Sequence, residues 1–381
     1  MPNPFTPTFG TPPPLLVGRD QLIQEFSDGL AAGPGDPSRA TLYVGLRGSG
    51  KTVLLNKVED AAREQGWLVI NDSATAGLVD RLVYELLPKA LITLKGGGKA
   101  TRKRLTGMSG PAPVGGGVTW ETVEDYPVRP GLRGLLEEIT DHLATHGTGV
   151  LFSIDEIHYA QIAEVAQLCA VVQLAFRENR DVALVAAGLG SVVDRLLNEP
   201  SVTFLRRAER QILGPVGVDD IIPGFVTPVS KNGRRISEEV ARFAAEATGG
   251  YPFLIQLIGR HAWAQAPTQS EITRAHVEAA IPIAQRRVGS LVFAPVVKDL
   301  SDIDKTFLVA MARDRGVSRV RDVATRMGVD GNYANVYRRR LLDAELIVEA
   351  GRGRVAYAIP GLTEYLRDHV VADLGTTLTV P

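Results

Sequence analysis

Residues 45–52, Gly45-Leu46-Arg47-Gly48-Ser49-Gly50-Lys51-Thr52, decide the reading of this chain. They follow the short apolar run Thr41-Leu42-Tyr43-Val44. After them Val53, Leu54, Val58 and Ala62 recur at helical spacing along 53–65. A strand that turns through glycines into a helix presents a row of backbone N–H groups, and the helix's positive end points at the same place. Residues Gly45 to Thr52, with Val53 behind them, are therefore expected to wrap the phosphates of ATP or ADP. Lys51 should reach the β- and γ-phosphates, and the Thr52 hydroxyl should ligate Mg²⁺.

Working outward, the next stretch of the same kind is Gly149-Val-Leu-Phe-Ser-Ile-Asp155-Glu156. An apolar strand carries two carboxylates to its end. Asp155 can hold Mg²⁺, and Glu156 can polarise an attacking water. Further strands are expected at Trp67–Asn71, Val182–Ala187 and Gln211–Leu213. All are apolar throughout rather than alternating. That pattern predicts an α/β fold with a parallel five-stranded sheet buried between layers of crossover helices.

The bulk properties fit this frame. The chain has 381 residues, is 45% hydrophobic and carries a formal net charge of −1. It can build several cores, and any anion-binding surface must be local. Its one cysteine, Cys169, lies in an apolar run, which excludes a disulfide framework within the chain. No leader pattern and no apolar run of membrane length is present, so a soluble cytoplasmic protein with no membrane partner is expected.

Punctuation divides the chain. Residues 1–14 are rich in proline and are expected to form a flexible arm. The nucleotide-binding domain should span 15–215. Within it, 94–130 holds two triple-glycine runs and the basic cluster Lys99, Arg102, Lys103 and Arg104, and reads as an insertion or loop. Residues 216–296 read as a helical lid, with helices expected at Ser237–Ala247, Pro252–Gln265 and Thr273–Arg287. From 300 to 372 three helices precede two short strands and a last helix, the plan of a winged helix-turn-helix. A tail of 373–381 follows.

The third helix of that unit contains Asn332, Tyr333, Asn335, Arg338 and Arg339, and the turn between its strands contains Arg352 and Arg354. Between Val317 and Ile359 there are eight arginines against five acids. These side chains suit base edges and phosphates, so duplex DNA is the expected partner. A winged helix that binds protein is the alternative.

Taken together, these motifs resemble the AAA+ ATPases, within them the origin-recognition-like and archaeal ATPase group. The resemblance implies that Val17, in Leu16-Val17-Gly18-Arg19-Asp20, packs near the adenine. It also implies an arginine finger in Phe204-Leu-Arg-Arg207-Ala-Glu-Arg210. Arg207 matches best, with Arg206 and Arg210 as alternatives, and would act on a neighbouring subunit's nucleotide in a homo-oligomer. Two departures stand out. The fourth strand ends Ala187-Gly188-Leu189-Gly190-Ser191, without the usual Asn or Thr. Gly250-Tyr251-Pro252 replaces an arginine-bearing sensor and looks more like the STAND signalling ATPases, in which Pro252 would start its helix beside the nucleotide. These features imply a slow ATPase used as a switch. Two forms are open: a nucleotide-controlled DNA binder, or a STAND-like signalling or defence ATPase whose winged helix contacts protein.

Overall fold

The computed structural model describes residues 2–8, 13, 15–96, 131–202, 204–267 and 269–370. The expected insertion from 97 onward, with its basic cluster, and the tail lie outside them.

Five parallel strands form the first domain: β1 (Ala40–Val44), β2 (Leu68–Ser73), β3 (Val150–Asp155), β4 (Val182–Gly188) and β5 (Glu209–Ile212). Their order is β2-β3-β4-β1-β5. Every residue of β1 and β4 is buried, as are the first five of β3, whereas β2 and β5 alternate at the edges. That matches the apolar reading of the central strands, which must bury both faces under helices. Helices Asp20–Ala32 and Lys51–Glu64 cover one face, and Leu132–Ala144 and Ile162–Arg177 the other. Arg39 is 2% exposed, yet fully employed. Its guanidinium donates to Gly29 O and Leu30 O, pairs with Asp181 at 2.8 Å and lies over the Trp67 ring. A buried cation is tolerated only when so completely partnered.

The lid begins with a helix the sequence conceals, Val218–Lys231, because Pro223 and Pro228 sit inside it. An internal proline costs about 3 kcal/mol. With two prolines the cost is about 6 kcal/mol, and burial of Ile221, Phe225 and Val229 at roughly 1.5–3 kcal/mol each is of the same size, so tertiary burial offsets it. Glu238–Ala247, Pro252–Gln265 and Arg274–Val288 follow the expected ranges closely. The last runs on through a π-turn to Lys298, so the link to the next domain is helical up to residue 298.

The described start of the proline-rich arm, residues 2–8, is anchored rather than loose. Phe5 is 1% exposed and packs against Phe225 and over Gly259, where a Cβ would stand 2.4 Å from its ring. Asn3 Nδ2 donates to Arg260 O and Thr6 N to Gln256 Oε1. Counting apolar residues missed this because a single aromatic supplies the anchor.

In the C-terminal domain, helices Asp302–Met311, Val320–Met327 and Gly331–Asp343 precede strands Ile347–Glu349 and Arg354–Tyr357 and the helix Leu362–His369. A third strand, Val317–Arg319, pairs antiparallel with Arg354–Tyr357. At three residues it carries no periodic signal.

Candidate functional site

The loop after β1 curls as its glycines require. Gly48 and Gly50 have φ of 75° and 92°, and Gly50 leads directly into the helix Lys51–Glu64. Lys51 is 7% exposed, and its Nζ donates to Gly45 O and Leu46 O, both at 2.9 Å. Burial lowers its proton affinity, while Glu345, Glu156 and Asp155 act in the opposite sense. Thr52 Oγ1 donates to Asp155 Oδ2 at 2.7 Å, and Asp155 Oδ1 accepts from the Glu156 amide. The loop hydroxyl and the strand-end carboxylate, 103 residues apart in sequence, thus meet. Glu156 is half-buried and takes φ 54°, a left-handed backbone that a non-glycine residue adopts at a cost. Burial, and then Asp155, raise the proton affinity of its carboxyl.

Beside the loop opens a cleft of about 440 Å³. Arg47 to Val53, Asn56 and Glu156 line one end. Thr6, Val17, Pro252, Ile255 and Gln256 are among the residues lining the other. The expected nucleotide residues Val17 and Pro252 therefore share one cavity with the loop.

Ser49 Oγ is buried without a hydrogen-bond partner among the described residues. An unsatisfied hydroxyl inside a loop of backbone N–H groups suits a phosphate oxygen. Thr52 and Asp155 supply hard oxygen donors of the type Mg²⁺ takes, with room for the water and phosphate ligands it keeps. The residues present fit both groups.

Two contributors escaped the sequence reading. Tyr251 Oη donates to Arg47 O at 2.7 Å, tying the lid to the phosphate loop. A Cβ on Gly48 would lie 2.1 Å from that oxygen, so the tyrosine and the glycine fit together. Glu345, from the C-terminal domain, accepts from the Gly190 amide at 2.8 Å beside the same loop. Neither contact has a local signature: the partners are 204 and 155 residues apart.

Among the three candidate finger arginines, Arg206 caps the end of the helix Gly190–Asn198 through Leu197 O and Asn198 O, and Arg210 pairs with Asp194. Arg207 is exposed. In the C-terminal domain Asn332, Tyr333, Asn335, Arg339, Arg352 and Arg354 are exposed. Arg338 is instead drawn to Glu349, with 22% of its side chain exposed. Arg340 pairs with the fully buried Asp304 at 2.7 Å. The side chain of Ser191 lies outside the description.

Comparison with solved structures agrees with this architecture. A Walker-type ATPase of Pyrococcus abyssi superposes with a TM-score of 0.61 at 15% identity, over 92% of this chain and 96% of that one. The ORC2 protein of Aeropyrum pernix, solved in ADPNP–ADP complexes, gives 0.59 at 13% identity over 97% and 98%. Residues 290–366 match the family model of a domain of unknown function, DUF8462. No curated protein matches the sequence. The fold is that of the AAA+ P-loop ATPases: the sheet order and the C-terminal domain correspond. No helix among the described residues is long and apolar enough to cross a membrane.

Proposed function

We propose that this chain binds and slowly hydrolyses ATP, and that its nucleotide state controls how a C-terminal winged helix engages duplex DNA. The observation that carries the nucleotide half is the Thr52–Asp155 pair at 2.7 Å beside a buried Lys51. Lys51 holds the outer phosphates. Thr52 and Asp155 hold Mg²⁺, which neutralises phosphate charge when bound. Glu156, the residue after Asp155, orients a water and takes its proton, and its raised proton affinity suits that role. Arg207, exposed while its neighbours are engaged, is free to reach a second copy of the chain.

The DNA half is supported by arginine placement. Arg319 and Arg354 face one another across the antiparallel pair, both exposed and neither in an ion pair among the described residues. Like charges opposite one another destabilise a sheet, so an external anion would relieve them. Exposed Arg352 extends the same edge. Duplex binding, followed by fluorescence anisotropy across a salt series without nucleotide, with ADP and with a non-hydrolysable ATP analogue, tests this. Arg319→Ala/Arg354→Ala should lower the slope of log affinity against log salt by about 2 if both hold phosphates. A nucleotide-dependent shift in affinity is expected in the wild type. Absence of DNA binding in every state rejects this half.

One observation favours the signalling reading instead. Val336 and Tyr333, 56% and 40% exposed, lie on the helix meant to read DNA. Apolar exposure there suits a protein contact, and failure of the DNA experiment would make that the leading reading.

A further inference from the structure

Glu345 follows the helix Gly331–Asp343, and its backbone takes φ 56°. Glycine or asparagine ordinarily fills a left-handed position at a helix end, because a Cβ is disfavoured there. A glutamate held so is pinned by what its side chain reaches. Its Oε1 accepts from the Gly190 amide at 2.8 Å, and its Oε2 is buried with no hydrogen-bond partner among the described residues. Gly190 begins the segment beyond β4. Glu345 is also the leading acidic influence on Lys51. A carboxylate held by a backbone amide beside a lysine, with its second oxygen unsatisfied, sits as a phosphate oxygen would.

Position distinguishes which phosphate it contests. The amides at the helix start, Gly50 to Thr52, belong to the inner phosphates of a P-loop ligand. Glu345 stands instead on the Gly190 amide, just beyond the end of β4. It also borders a cavity of about 640 Å³ lined by Gly45, Gly190, Tyr357 and Pro360, which leaves space for the side chain to withdraw.

We infer that Glu345 is a built-in counter-ion that the terminal phosphate of a nucleoside triphosphate displaces, so that the C-terminal domain registers the third phosphate directly. The inference rests on the nucleotide-binding reading above and adds to it the residue that couples the two domains. Glu345 lies two residues beyond the helix that bears Asn332, Asn335 and Arg339, and that helix packs against Gly190–Asn198. A diphosphate leaves the contact standing. A triphosphate brings like charges together and shifts the helix against its neighbour.

The test uses the full chain with fluorescent ADP and a fluorescent non-hydrolysable triphosphate, comparing wild type, Glu345→Gln and Glu345→Gly. Removing one like charge at close range should raise the preference for triphosphate over diphosphate about tenfold in both variants. The glycine variant suits the left-handed backbone, so a folding defect cannot mask the result. A second readout places spin labels at Arg195→Cys and Asn335→Cys, which is clean because Cys169 is buried. In the wild type the interlabel distance should change with triphosphate and not with ADP. Glu345→Gly should show the changed distance without nucleotide. An unchanged preference in both variants, or equal distances with both nucleotides, overturns the inference while ADP binding leaves the nucleotide site standing. A wild type that binds neither nucleotide overturns both.

Discussion

The two ends of the cleft are built by different means. At the phosphate end, Arg47 to Val53 form one continuous segment, joined by Asn56 and, from the end of β3, Asp155 and Glu156. At the other end, Thr6, Val17, Pro252, Gln256 and Val292 arrive from separate parts of the chain. The first end is specified locally, by glycines that free the backbone and a lysine and threonine at fixed offsets. The second is specified only by packing, through Phe5 buried in the lid and Thr6 bonded to Gln256. Local specification survives the loss of neighbours, whereas assembled specification depends on every domain being in place.

Substitutions at each end should break that contrast if it is wrong. Glu156→Gln should lower the hydrolysis rate about 10²–10⁴-fold with ATP binding retained, measured by phosphate release beside nucleotide titration. An unchanged rate would remove Glu156 from the chemistry. Lys51→Ala should abolish nucleotide binding with little change in melting temperature, since its ammonium bonds only loop carbonyls here. Phe5→Ala should act in the reverse way. Loss of a buried phenyl costs about 3–5 kcal/mol, so lid stability should fall clearly in thermal melts. Nucleotide affinity should fall only severalfold, because the phosphate contacts remain. If Phe5→Ala eliminated binding, the ends would not be separable. The smallest effect is expected for Arg207→Ala, with nucleotide affinity of the isolated chain unchanged and any loss confined to turnover at high protein concentration.

The same contrast explains what could be read from sequence. The central strands β1, β3 and β4, the phosphate loop and the Asp155–Glu156 pair were legible because burial on both faces and phosphate wrapping impose patterns a few residues long, whereas the edge strands β2 and β5 are partly exposed and depart from the all-apolar reading. The helix Val218–Lys231 was hidden by Pro223 and Pro228, whose local penalty is offset by tertiary burial. The strand Val317–Arg319 was too short to show a period. Tyr251 stood out only as the middle of Gly250-Tyr251-Pro252, and Glu345 carried no signal of its own. Their roles depend on contacts with Arg47 and Gly190 that no local pattern encodes. Arg338, expected to face DNA, is held by Glu349 for the same reason.

One fit has a consequence for how chains of this kind can diverge. Gly48 adopts φ 75°, and Tyr251 occupies the space where its side chain would be. The left-handed backbone and the tyrosine both select glycine at position 48, so any other residue there would meet backbone strain and, unless 251 became smaller, the tyrosine as well. Among descendants of this sequence, a residue other than glycine at 48 should appear only where 251 has become smaller, a one-way dependence that links one loop to one lid.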